Sequence, residues 1–269
     1  MTASVRINLH PSFEVLAATT AARLITKLLD VQNERGEATV VLTGGTVGIA
    51  TLNAIVDSPA CPAVDWSKVN FWWGDERFVG RADPDRNAVQ AGRALLDRVG
   101  VDPARVHPMG STDDFGTAQE AAAAYAAELA SAALNEFSRA AESESAQAPP
   151  LPRFDVLLLG IGPDAHIASL FPEMAGIRTK DAAVVGLDDS PKPPPSRVSL
   201  TLPTINTAQE IWLVAAASDK AGAVGLALAG ANPVQVPAAG PRGRTKTLWL
   251  IDQDAAAKVP GQLMLRQDS

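Results

Sequence analysis

The chain has 269 residues, 46% of them hydrophobic, 20% charged and 5% aromatic, with a formal net charge of −7. That length holds one large domain or two small ones and buries a sizeable core without staples; the apolar content excludes disorder, and no apolar stretch approaches the roughly 20 residues of a membrane span. The acidic balance argues against broad nucleic-acid binding, and the single cysteine, Cys61, excludes an internal disulfide framework and a thiolate metal cluster. The N-terminal residues Met1 to Arg6 lack the charged start and apolar run of a secretory signal, so a reducing cytoplasm is the expected compartment.

Short apolar runs alternate with longer helical patterns, as in a largely parallel sheet with crossover helices. The spacing predicts a helix over 11–33, a strand over 38–43 that stops at Gly44-Gly45, and a helix over 47–56. A strand over 69–73 ends at Gly74-Asp75-Glu76-Arg77, and helices follow over 87–99 and, rich in alanine, over 117–141. Residues 142–152 read as a polar, then proline-rich loop. The most apolar strand, 154–159, ends at Gly160-Ile161-Gly162; Pro191 to Pro195 forms a rigid, extended connection; and Arg197 heads a strand over 198–202. Strands over 210–216 and 247–251 complete the pattern, with Ser218-Asp219-Lys220 after the former at the start of a predicted helix. Apolar strands continue on both sides of the two proline-rich stretches, so these read as surface loops and residues 1–269 as one α/β domain.

Polar and glycine-rich clusters follow four of these strands: Thr43-Gly44-Gly45-Thr46, Asp75-Glu76-Arg77, Gly160 to His166, and Ser218-Asp219-Lys220. Open α/β sheets bind ligands outside the carboxyl ends of their strands, which makes this edge the expected site. In the first cluster, adjacent glycines let the backbone approach a ligand, and a helix N-terminus offers unpaired N–H groups to an anion. The same residues also suit a plain strand-to-helix turn. The cluster is neither a P-loop, since no Gly-Lys-Ser/Thr follows, nor a G-x-G-x-x-G fingerprint. Arg77 suits bidentate phosphate binding or the steadying of a carboxylate, with a solvated charge run as the plain alternative. Asp164 and His166 follow the most apolar strand. An imidazole accepts protons near neutral pH and a nearby carboxylate orients it, while a capping aspartate beside a structural histidine is the competing reading. The apolar segment from Ile167 to Pro172 would hold the ring rigid.

Lys220 is a cation at a helix start, unfavourable on dipole grounds unless an anion lies between. Arg197 is either a ligand contact or a structural pair. His107 reads as a strand-end residue and His10, before Pro11, as an ordinary helix start. No Gly-x-Ser-x-Gly elbow supports a serine nucleophile. No His-Glu-x-x-His appears, and three scattered histidines argue against a zinc site. Cys61, between Pro59 and Pro62 with no flanking base, reads as a buried or incidental thiol.

Taken together, these stretches resemble the 6-phosphogluconolactonase family, within the superfamily that includes glucosamine-6-phosphate deaminase and ribose-5-phosphate isomerase. The resemblance rests on Leu42 to Thr46, Trp73 to Val79, Gly160 to Pro172 and Arg197 to Pro203, whose order and spacing cover nearly the whole chain. Ser169-Leu170-Phe171-Pro172 is similar to the lactonases; the deaminases carry a different sequence there, with an extra acidic residue. One departure is Ala165, where the family carries Gly. A positive φ at that position would strain an alanine, and its methyl would crowd the substrate.

The resemblance implies a Rossmann-like α/β fold: a mostly parallel sheet flanked by helices on both faces, with a smaller α/β lobe or insertion. It implies hydrolysis of 6-phospho-D-glucono-1,5-lactone to 6-phospho-D-gluconate, the second step of the oxidative pentose phosphate route, without metal or organic cofactor. His166 would be the general base that activates water, with Asp164 and Asp75 orienting the base and the sugar hydroxyls. Gly44, Gly45, Thr46, Arg77, Arg197 and Lys220 are the implied phosphate and oxyanion contacts. The expected partner is the small phosphosugar lactone, with no nucleic acid or membrane, the chain being a monomer or weak homo-oligomer. Two alternatives accompany this reading. A related phosphosugar isomerase or deaminase would use the same edge, but the acidic residue after His166 is missing. A non-catalytic phosphosugar sensor would need a DNA-binding module, and only one helix and no basic patch precede the first predicted strand.

Overall fold

The computed structural model describes residues 4–140 and 150–264. In chain order its elements are β1 (Ser4–His10), α1 (Phe13–Arg35), β2 (Ala38–Leu42), α2 (Gly45–Asp57), β3 (Val69–Trp73), β4 (Asp75–Arg77), α3 (Asn87–Ala94), α4 (Ala118–Ala140) and β5 (Val156–Gly160). There follow α5 (Ala175–Arg178), β6 (Val184–Leu187), β7 (Arg197–Leu200), α6 (Leu202–Ile205), β8 (Glu210–Ala215), α7 (Ala221–Leu228), β9 (Lys246–Asp252) and α8 (Gly261–Met264). Six strands form a parallel sheet in the order β1-β9-β8-β5-β2-β3. Three short strands form a separate antiparallel sheet, β4-β7-β6.

The continuous apolar runs are explained by burial on both faces, since successive strand residues point to opposite sides. Val40, Leu42, Leu158 and Trp212 pack beneath Leu24 and Ile25 of α1 and Leu52 and Ile55 of α2. Val41, Leu157, Leu159 and Leu213 face the other way, onto Tyr125 and Leu129 of α4 and Val224 of α7. Helices therefore cover both faces, as expected, and the smaller lobe is the antiparallel sheet. Among the described residues no helix is long and apolar enough to cross a membrane.

The differences from the sequence-based expectations have local causes. β1 is an additional edge strand, and His10 is its last residue rather than a helix start; it is buried, with Nδ1 3.2 Å from the Ile251 carbonyl. Ser12 caps α1 instead, its Oγ accepting from Val15 N–H at 3.3 Å. The helix predicted over 87–99 stops at Ala94, where Leu95 leaves helical geometry (φ −140°), and a 3-10 turn follows at Leu96–Arg98. An α-helix points consecutive residues to different sides; the break lets both Leu95 and Leu96 reach the core. Asp75–Arg77 is itself a strand, and the strand headed by Arg197 ends at Leu200. Residues 141–149, the end of the Ala-rich helix and most of the predicted polar loop, lie outside the described residues. Cys61 is buried in a 3-10 turn.

Candidate active site

A cleft of about 400 Å³ opens beyond the carboxyl ends of β2, β5 and β8. β2 leads outward to β3 at the sheet edge, and the chain then returns to place β5 on the other side of β2. The gap between β2 and β5 is thus a topological switch point, the place where open α/β sheets bind ligands. Gly44, Gly45, Thr46, Asp75, Arg77, His166, Arg197 and Lys220 all line this one cleft. Asp164 joins them through His166.

His166 sits at the end of a tight turn after β5. Gly162 N–H donates to the His166 carbonyl, and Ala165 N–H donates to the Gly162 carbonyl, both at 2.9 Å. Ala165 has φ 68°, the strained left-handed geometry that its departure from glycine raises; Ala168 and Glu173 on the same loop share it, at 48° and 60°. Its methyl packs into the core and does not line the cleft, so the expected crowding of the ligand space is absent. The imidazole leans on Phe171, ring centroids 4.5 Å apart. Its Nδ1 lies 2.6 Å from Asp164 Oδ1. A proton donated from Nδ1 to that carboxylate leaves Nε2 as the basic nitrogen. Partial burial alone would raise the Asp164 carboxyl, but the hydrogen bond and charge of His166, with those of Lys192, hold it well below the usual carboxylate range.

Asp75 is held differently. It is buried, accepts from Ser169 Oγ at 2.7 Å and from Asn87 Nδ2 at 3.4 Å, and among the described residues makes no hydrogen bond to His166. Its neighbour Glu76 points away into the protein, accepting from the backbone N–H groups of Arg77, Asn87 and Ala88.

The cations converge from separate elements. Arg77 and Arg197 are direct register partners across β4 and β7, a like-charge pairing that destabilises a strand pair unless an anion compensates. Burial, opposed by the Asp75 charge and deepened by that of Arg77, lowers the proton affinity of the Arg197 guanidinium. Lys220 pairs with Asp219 at 2.9 Å on a 3-10 turn ahead of α7. α2 enters the cleft N-terminus first: Gly44 is its cap, Gly45 has φ +79°, no side chain caps it, and no acidic residue sits in its first turn. Those amides are a ready anion contact.

The family model describing glucosamine-6-phosphate isomerases/6-phosphogluconolactonase matches residues 11–249. The chain belongs to this family. Within it, the 6-phosphogluconolactonase of Streptomyces coelicolor is 52% identical over 265 residues, covering 98% of each chain. That of Mycobacterium tuberculosis is 46% identical over 259 residues, covering 96% of this chain and 99% of its own. The solved 6-phosphogluconolactonase of Trypanosoma brucei shares the fold, with a TM-score of 0.78 at 22% identity over 96% of this chain and all of its own.

Three residues that line or support this lactonase-type cleft escape the sequence reading. Lys192, on the proline-rich connection, lies 3.2 Å from Asp164 Oδ1 and 3.3 Å from His166 Nδ1. Its only sequence signal is a cation inside a rigid segment. Asn87 binds Asp75 and lines the cleft, although it reads as an ordinary helix residue. Asp252, the last residue of β9, accepts the N–H of Ala217 at 3.0 Å and fixes that residue at φ 78°, ψ 155°, a geometry nearly reserved for glycine. This holds the turn that carries Lys220, and nothing local in the sequence announces it.

Proposed function

We propose that the cleft hydrolyses 6-phospho-D-glucono-1,5-lactone to 6-phospho-D-gluconate, the second step of the oxidative pentose phosphate route, with His166 as general base. The observation that carries this reading is the 2.6 Å contact between His166 Nδ1 and Asp164, in the same cleft as Arg77, Arg197 and Lys220. Nε2 takes a proton from water as that water attacks the lactone carbonyl, and the imidazolium returns it to the ring oxygen as the ester bond breaks. Positioned proton transfer of this kind contributes about 10²–10⁴-fold. Cationic and N–H donors stabilise the tetrahedral oxyanion.

The phosphate needs local positive potential, because the chain as a whole carries −7. Arg77, Arg197, Lys220 and the open N-terminus of α2, through Gly44, Gly45 and Thr46, are the groups suited to supply it. Asp75, steadied by Ser169, is suited to accept hydroxyls of the sugar.

The test is a coupled assay with freshly generated lactone, corrected for spontaneous hydrolysis, with glucosamine 6-phosphate as a control substrate. The protein accelerates lactone opening and leaves the amino sugar phosphate untouched. His166→Ala lowers turnover by about 10²–10⁴-fold with an unchanged melting temperature. Near-normal turnover in that variant would reject His166 as the base, and no acceleration by the parent protein would reject the hydrolase reading.

A further inference from the structure

The segment from Ser190 to Arg197 is a strap whose chemistry is set by its prolines. Four of its residues, Pro191, Pro193, Pro194 and Pro195, have no N–H to donate, so its carbonyls must find donors elsewhere. Arg197 supplies them: Nε donates to the Pro194 carbonyl at 2.7 Å, and Nη2 to the carbonyls of Pro193 at 3.1 Å and Lys192 at 3.2 Å. Ser190 Oγ adds a bond to the Lys192 carbonyl at 3.1 Å. The backbone of Lys192 is therefore gripped from two sides, and its side chain reaches the base. Asp164 Oδ1 receives both His166 Nδ1, at 2.6 Å, and Lys192 Nζ, at 3.2 Å, while Nζ itself stands 3.3 Å from Nδ1.

We propose that Lys192 is a positioning residue for the lactonase step: its ammonium, delivered by the strap that Arg197 grips, keeps the Asp164 carboxylate aimed at Nδ1 and keeps the His166 imidazole uncharged and ready to accept a proton. The proposal rests on the hydrolase reading above. A carboxylate alone beside an imidazole favours the imidazolium, which cannot act as a base; a cation 3.3 Å from the same nitrogen opposes it. Asp164 on the turn and Lys192 on the strap are the charged groups touching the ring, and Phe171 covers one face. Asp75, Arg77, Arg197, Asp219 and Lys220 are the remaining charges lining the cleft.

The experiment compares the full chain with Lys192→Met and Lys192→Arg. Three histidines make the imidazole Cε1–H signals simple to assign, the His166→Ala spectrum identifying the one in the cleft. In unliganded Lys192→Met the His166 titration midpoint rises by about one pH unit, the effect of a unit charge some 3 Å away at water-like dielectric. The acid limb of kcat/KM moves with it, so the variant loses about tenfold on the acid side and little on the alkaline side, and Lys192→Arg restores both. An unmoved midpoint overturns the proposal while leaving hydrolysis intact. So does a raised KM with kcat and the pH profile unchanged, which would make Lys192 a plain substrate contact. Failure of the hydrolase reading shows separately, as absent turnover in the parent protein, with the titration shift still measurable.

Discussion

Gly162 lies under the imidazole of His166 so closely that a Cβ at position 162 would stand 2.0 Å from Nδ1 and 2.4 Å from Asp164 Oδ1. Gly162 is not among the glycines in the left-handed region, so the constraint on this residue is contact and not conformation. Gly162→Ala must push the imidazole proposed as the base and its carboxylate aside together. Displacing a reacting group by about 1 Å costs on the order of 10²-fold in rate. The expected result is a fall in kcat of that size with little change in melting temperature, read by the lactone assay beside a thermal scan. A variant of parental activity would mean that the imidazole has room to adapt.

Ala165 sets two opposing terms against each other. Holding an L-residue in the left-handed region costs about 1–2 kcal/mol, which glycine would recover. Against that, Ala165→Gly gives up a buried methyl, about 0.8 kcal/mol, and loosens the unfolded chain by about 0.4–1 kcal/mol. The terms nearly cancel, so this variant melts close to the parent and turns over substrate at an unchanged rate. Ala165→Val behaves differently: a β-branched residue at positive φ is a severe outlier, and overpacking the core adds about 1–3 kcal/mol. Melting curves of the two variants check the balance. A large loss of activity in Ala165→Gly would give the methyl a role that its place in the core does not suggest.

What the sequence makes legible divides along a physical line. β2, β3, β5, β8 and β9 announce themselves because burial on both faces demands unbroken apolar runs, and the reactive clusters stand out because they end those runs. β1 escapes that criterion: Val5, Ile7 and Leu9 alternate with Arg6 and Asn8, as suits an edge strand with a single neighbour. β4 escapes because a three-residue strand of Asp, Glu and Arg has no hydrophobic signal; only its pairing with β7 defines it. Lys192 and Asp252 act across 26 and 35 residues of chain, onto His166 and Ala217, and such contacts have no local signature.

Asp75 and Glu76 are adjacent carboxylates with opposite duties. Glu76 is fully buried and accepts from the Arg77, Asn87 and Ala88 N–H groups at 2.7–2.9 Å, with Arg86 Nε at 3.4 Å. Asn87 and Ala88 open α3, so this carboxylate ties the start of that helix to β4. Glu76→Ala leaves the buried Arg86 without its carboxylate, although it keeps its bond to the Met109 carbonyl, and leaves three amides without their acceptor, at a cost of about 3–5 kcal/mol. That lowers the melting temperature by about 10 °C. Glu76→Gln retains an acceptor and loses less. Differential scanning calorimetry on the two variants decides the point: equal melting temperatures for Glu76→Ala and the parent would remove this carboxylate from the fold's support.

Asp164 carries a prediction whose sign follows from its depressed proton affinity. Its folded-state value lies below the unfolded one, so its contribution to stability is present above the unfolded value of about 3.9 and is lost only as the pH falls through the native value. With the carboxyl a third exposed, that contribution is small. The kinetic consequence is larger. Asp164 stays ionised throughout the range in which imidazoles titrate, so with His166 as the proposed base the acid limb of the rate profile is not the carboxylate's. Asp164→Asn keeps the shape but brings an amide that can turn its NH2 towards Nδ1, forcing the proton onto Nε2 and so blocking the nitrogen proposed to take the proton from water. The plateau of kcat/KM therefore drops by about 10²–10⁴-fold on the alkaline side, where a simple change of protonation would leave it intact. A plateau equal to the parent's, with only the acid limb displaced, would show that the carboxylate tunes the imidazole without holding its tautomer.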